Sequence, residues 1–180
     1  MAWGTVPQGW ALTRQKQWAA GMARLREGSE AALAARSEQW RPYYLALRAE
    51  AAGAAVRPED GRRLLAEAQE VMARTDERFY EAELLRLGGR LLEIDGDDTG
   101  AQARYREAIA TAEERGAKLF ALRAGRDLAG FWQRRGQGTE ARQMLQPLYG
   151  WFTEGFEFSD LREAKALLDS LQKGPAKPGR

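Results

Sequence analysis

The chain has 180 residues, of which 44% are hydrophobic and 30% charged, and it contains neither cysteine nor histidine. Those two absences exclude disulfides, thiolate metal sites and every nucleophile arrangement built on imidazole, so any catalysis would rest on carboxylates, Lys or Tyr. The formal net charge is +2, and removing Lys173, Lys177 and Arg180, which no nearby acid offsets, leaves the body of the chain at −1. A nearly neutral body lacks the concentrated basic face that nucleic acid requires, and Arg and Glu alternate at spacings that allow pairs within one helix, such as Glu83 with Arg86.

Ala, Arg, Glu, Leu and Gln dominate and β-branched residues are few, which predicts an all-α protein. No apolar run approaches the roughly 20 residues that a membrane span needs. The amino terminus lacks the basic and apolar segments of a secretory signal. No membrane partner is expected, and cytoplasmic residence is the default.

In chain order, residues 2–14 read as the second half of an incomplete helical hairpin, interrupted near its start by Pro7 and carrying Trp3 and Trp10 seven apart. A turn over Gln15–Trp18 leads to a helix over 18–36 with Met22, Leu25, Ala32 and Leu33, ending at Ser37. The next hairpin pairs 40–55 with 59–74 across Val56-Arg57-Pro58, where Pro favours a first helical turn. A third runs from Arg78 to Glu93, turns through Asp95–Gly100 and continues from Ala101 to Arg115, with Gly116 as a left-handed cap. The fourth pairs 118–135 with 139–152, and Pro147 should kink or shorten its second helix. A capping helix over 160–171 follows, with Asp160 as N-cap and Glu163 three residues on. Residues 173–180 read as a disordered basic tail. The units fall at about 2–36, 40–75, 78–115 and 118–152 within one domain, 1–172.

The period is carried by a triplet at spacing i, i+4, i+7: Gly21/Leu25/Gly28, Gly61/Leu65/Ala68, Ala101/Tyr105/Ala108 and Ala141/Leu145/Leu148. That spacing lies on one helix face, and its return every forty residues is the mark of stacked helical hairpins. Small members let helix axes approach while the large member fills the groove between ridges. Leu47, Leu87 and Leu128 form a second series in the same register. Trp40, Phe79, Phe120 and Phe158 mark the entrance of successive first helices and read as inter-repeat core. Trp3, Trp10 and Trp18 lie off that register, at the face where a preceding repeat would dock, and are assigned to a self-association surface that makes a homodimer.

No site for a cofactor, metal or catalytic group emerges. No G-x-x-x-x-G-K-[ST] sequence is present. The run from Asp95 imitates a calcium loop at its first, third and sixth places but presents Arg106 at the twelfth, where a bidentate Glu is needed, and is read as a solvated turn in which Thr99 or Asp98 caps the next helix. What remains is surface. In the fourth hairpin Arg123, Arg126, Gln133 and Arg134 could project into the groove formed by first helices and hold an acidic protein partner; the plainer reading pairs these arginines with neighbours such as Asp127 or Glu113.

Leu87-Gly88 and Leu128-Ala129, set before their triplets, resemble tetratricopeptide repeats, though the period exceeds the usual 34 residues. More specifically, Glu81–Leu92, Gly116–Ala124 with Trp132, and Leu145-Gln-Pro147-Leu-Tyr149-Gly-Trp151 through Phe156 followed by Asp160–Leu168 resemble the C-terminal repeat region of bacterial proteins that join a class III adenylate or guanylate cyclase to an AAA-type ATPase. Arg90, where that family usually shows Glu, and Arg126-Asp127, in place of a more apolar pair, depart from it. The resemblance implies a non-enzymatic, right-handed tetratricopeptide-like solenoid that binds a protein in its concave groove and regulates a signalling ATPase, a cyclase or a transcription regulator. It implies a detached module or a piece of a longer polypeptide. The alternative is a small-molecule sensor that holds an anion through Arg123, Arg126 and Arg134.

Overall fold

The computed structural model describes residues 2–34, 40–54 and 57–172. Among them nine α-helices follow one another without a strand: α1 (Ala2–Arg14), α2 (Trp18–Ala34), α3 (Arg41–Ala54), α4 (Pro58–Thr75), α5 (Glu81–Ile94), α6 (Asp98–Glu114), α7 (Lys118–Arg134), α8 (Gly138–Gly150) and α9 (Ser159–Gln172). The expected stop at Ser37, the break at Val56, the tail from Lys173 and the side chain of Trp3 lie outside the described residues. Two helices open elsewhere than expected. α5 begins at Glu81 rather than Arg78, and α6 at Asp98 rather than Ala101, because the Asp97 carboxylate accepts the Gly100 N–H at 2.9 Å and so caps the helix in place of Thr99 or Asp98.

The turns supply the period. Lys16, Gly96, Gly116 and Gly136 each sit in the middle of a three-residue turn with left-handed backbone, φ 62°, 81°, 68° and 78°. The next N–H then reaches back to the carbonyl five residues earlier, Gln17 to Leu12, Asp97 to Leu92, Ala117 to Ala112 and Gln137 to Trp132, at 2.8–3.0 Å. This is the Schellman closure, which satisfies carbonyls that a helix end would otherwise leave without donors. The Arg57 N–H makes the same bond to Ala52 at 2.9 Å. Asp76, with φ 54°, falls on the same comb, so these five left-handed residues are separated by multiples of twenty, while Gly155, with φ 75°, falls one residue short of the next step.

Each turn also fixes where a small residue must stand. The carbonyls of Gln17, Arg57, Asp97, Ala117 and Gln137 accept the N–H groups of Gly21, Gly61, Ala101, Ala121 and Ala141, the first bond of each new helix. Four of those donors open the triplets read from the sequence. Every triplet member is buried except Leu148, which is half-buried.

The chain divides into two compact units, Met1–Ala101 and Gln102–Arg180. In the first, α1 pairs with α2 and α3 lies against both, while α4 pairs with α3 and α5 lies against both of those. Leu45, Leu64, Leu65, Val71, Leu84, Leu87 and Leu91 fill the interior of the α3–α4–α5 layer. At the α1–α2 crossing the backbones nearly touch, and a Cβ on Gly21 would lie 2.9 Å from both the Gly9 carbonyl and the Thr13 nitrogen. In the second unit α7 pairs with α8 and α9 lies against both. Its interior is built from Tyr105, Leu122, Leu128, Phe131, Leu145, Leu161 and Leu168, all buried.

The aromatic series at the hairpin entrances does not form core as expected. Phe79 is 59% exposed and Phe158 64% exposed, while Trp40 and Phe120 are half-buried. Phe79 and Phe158 precede the first residue of α5 and α9, where the chain has not yet turned inward. At the second entrance the inward ring is Tyr80, stacked on Tyr43 of α3 at 4.6 Å between centroids.

Candidate interaction surfaces

In the first unit the first helices α3 and α5 meet along a charged row. Arg86 is only 1% exposed, yet its guanidinium is paired: Nε and Nη2 donate to the two Glu83 oxygens at 3.0 and 2.8 Å, and Nη2 donates to Glu50 of α3 at 3.0 Å. Burial of a bidentate pair with a third partner satisfies both charges in the interior. The pairing of Glu83 with Arg86 within one helix, read from the sequence, is present. α5 turns it toward α3, where Glu50 completes it.

One turn further along α5, Arg90 lies 3.6 Å from Glu50 and is 41% exposed, and a further turn on Ile94 is exposed. Between them and α3 runs a shallow groove floored by Ala49, Gly53, Leu87 and Leu91. Sequence reasoning noted Arg90 only as a departure from the resembled family and missed Ile94. The i, i+4, i+8 spacing of residues 86, 90 and 94 was the available signal.

In the second unit the four groove candidates lie on α7, and three of them face α9. Arg123 donates to Asp160 at 2.7 Å; Arg126 donates to Glu163 at 2.6 Å, to Asp160 at 3.4 Å and to Asp127 at 3.2 Å. Gln133 donates to the Ser170 hydroxyl at 2.8 Å. Arg134 is exposed near the end of α7. Asp160 is consequently not an N-cap, because α9 begins at Ser159 and the Asp160 carboxylate is turned onto α7. Glu113 is not a partner of these arginines in any hydrogen bond given above, whereas Asp127 is.

The three tryptophans assigned to the amino-terminal face have different surroundings. Trp10 packs beside Val6, Leu25 and Tyr44, with the Arg14 guanidinium 5.8 Å over its ring. Trp18 borders an open cleft of about 510 Å³ with Met22, Arg26 and Glu30 of α2 and Arg57 of the next hairpin. Arg48 of α3 lies near that cleft's Arg26 and Glu30; its Nε is buried without a hydrogen-bond partner, and burial lowers its pKa, with Arg26 and Arg63 adding to the effect and Glu67 and Glu30 opposing it. A guanidinium in that condition favours a carboxylate or phosphate.

The acidic turn is occupied by structure. Asp95 accepts two hydrogen bonds from Arg62 and Asp97 caps α6. Among the described residues no cluster of three or more carboxylates is placed to hold a metal ion, and no helix is long and apolar enough to cross a membrane.

No family model matches the chain, and no curated protein does. Solved structures do. Two crystal structures of kinesin light chain TPR-like repeats from Podosopora anserina, one of them a single-substitution variant, are each 16% identical, with a TM-score of 0.62 over 94% of this chain and 84% of the other. The likeness is one of fold. The chain has the all-α architecture of TPR-like helical repeats, reached here with a forty-residue unit.

Proposed function

We propose that the chain is a non-enzymatic protein-interaction module, resident in the cytoplasm, whose partner lies along α3 and α5. The observation that carries this reading is the strip of Arg90 and Ile94 beside the Gly53 groove, a half-buried cation facing Glu50 and an exposed aliphatic side chain on a helix anchored by the buried Arg86. Helical repeats recognise partners by such surface strips, with rigid helices presenting a few side chains. The sequence resemblance in Glu81–Leu92 and Leu145–Phe156 directs the proposal toward a partner in an ATPase, nucleotide-cyclase or transcription-regulatory system. Affinity capture with the full chain and with an Arg90→Glu/Ile94→Ser variant, followed by reconstitution with the purified captured protein, tests it. A partner that binds the wild-type chain and not the variant supports the reading; equal binding by both, or none by either, refutes it.

A second reading, a small-molecule sensor, draws on a different observation, the unpartnered Nε of Arg48, a guanidinium within electrostatic reach of Arg26 and Glu30 of the Trp18 cleft. Thermal unfolding with a panel of nucleotides and sugar phosphates separates the two, since a ligand that binds only the folded chain raises its melting temperature. A rise that disappears in Arg48→Met favours the sensor, and a flat panel sinks it.

A further inference from the structure

The exposed apolar side chains are not spread evenly. Of the six large ones exposed among the described residues, Leu119, Trp151, Phe156 and Phe158 lie in the second unit, and exposed apolar side chains concentrated on one unit point to an interface there. Trp151, 58% exposed, borders a cleft of about 320 Å³ walled by Ile109 of α6 and by Met144, Pro147 and Leu148 of α8. α8, with Pro147 inside it, ends at Gly150, and the next residue, Trp151, leaves its indole exposed at the rim. Met144 adds an adaptable wall, since its unbranched thioether fits irregular partners.

Two charges flank this cleft, Glu113 from α6 and Lys118 from α7, and they have opposite sign. Lys118 Nζ stands 5.9 Å from the centre of the Trp151 ring, and no ion pair ties either charge to another described residue. A rim of one sign would repel a copy of itself. A rim with one acid and one base is self-complementary under a two-fold axis, where contact i to j is matched by j to i. We propose that this cleft binds a second copy of the chain, with Trp151 of each copy seated on the Met144/Leu148 wall of the other, Lys118 of each facing Glu113 of the other. The proposal is independent of the partner strip on α3 and α5.

Sedimentation velocity on the full chain across a concentration series reads it out. The expected result is a reversible monomer–dimer equilibrium. Trp151→Gln weakens it by about tenfold or more, and Lys118→Glu and Glu113→Lys each weaken it by roughly tenfold through like-charge contacts at both ends of the axis. An equimolar mixture of the two charge variants recovers dimer, because a Lys118→Glu copy and a Glu113→Lys copy present opposite signs at both contacts. No loss of folding can produce that recovery, and circular dichroism checks helicity in each variant. A chain that stays monomeric, a mixture that fails to recover, or dimers that survive Trp151→Gln but vanish in Trp3→Gln/Trp10→Gln overturns the proposal, the last outcome placing self-association at the amino-terminal helices.

Discussion

Replacing Gly21 by Ala adds one methyl group to a helix, a change that alone favours folding by about 1 kcal/mol through helix propensity. At this position the methyl has nowhere to go. Its carbon would stand 2.5 Å from Thr13 Cγ2, 2.9 Å from the Gly9 carbonyl oxygen and 2.9 Å from the Thr13 nitrogen. The Thr13 side chain cannot swing aside cheaply, because its hydroxyl donates to the Trp10 carbonyl at 2.7 Å and the residue is buried. The other two atoms are backbone, so relief requires α1 and α2 to separate. Separation also loosens Gly9 against Leu25 and Gly28 against Val6, the other close approaches of the same crossing. Overpacking with backbone shift costs about 1–3 kcal/mol. With the shift spread over three approaches we place the cost at its upper end, about 3 kcal/mol, which leaves a net loss of about 2 kcal/mol after the propensity gain. Gly88, inside α5, is the control, because nothing lies within 4 Å of its added Cβ and Gly88→Ala should gain about 1 kcal/mol. Urea unfolding followed by circular dichroism gives both midpoints, and equal slopes make them comparable. The two variants should move in opposite directions. A Gly21→Ala chain as stable as wild type would refute the claim that backbone contact requires glycine there.

Three further outcomes follow from other features. Arg86→Met leaves the Glu83 carboxylate buried without its cation and should cost about 3–5 kcal/mol, while the Glu83→Gln/Arg86→Met pair should recover more than half of that in the same urea assay. Lys16→Gly removes the steric cost of a left-handed non-glycine residue and should raise the unfolding midpoint by the equivalent of about 1 kcal/mol. Burial holds the Tyr44 phenol above its ordinary pKa of 10.0, so the folded chain keeps a proton that the unfolded chain releases. Stability from this group is full below that ordinary value and falls as pH rises through the folded value. The decline seen by urea unfolding above about pH 10 should flatten in Tyr44→Phe.

The repeat was legible because both of its causes leave marks in the residue order. A left-handed turn selects glycine at 96, 116 and 136, and a tight crossing selects small residues five positions later. Lys16 and Asp76 adopt the same left-handed conformation without glycine, so those turns had no such mark. The charged residues were harder to place, since sequence distance hides their partners. Asp160 and Glu163 lie 37 residues from Arg123 and Arg126, and Glu50 lies 36 from Arg86. From spacing along one helix Arg123 and Arg126 read as surface groups open to a ligand, and Arg86 as half of a pair within α5. Phe79 and Phe158 were misread for a related reason: their register was right, but a residue just before a helix begins need not share the direction of the face that follows.

The comb of left-handed turns also constrains how such a chain can lengthen or shorten over evolutionary time. Every closure is made from residues within one turn and the helix ends beside it, so a cassette carries its own junction when it is copied. Insertion of a single residue within α4 would rotate everything beyond it by about 100° around the helix axis and present the wrong face to α5. Gain or loss of twenty residues keeps the turns but exchanges the roles of first and second helices. Forty is the smallest step that preserves turn, face and role together, which makes recombination in whole hairpins the route by which this architecture changes its number of units.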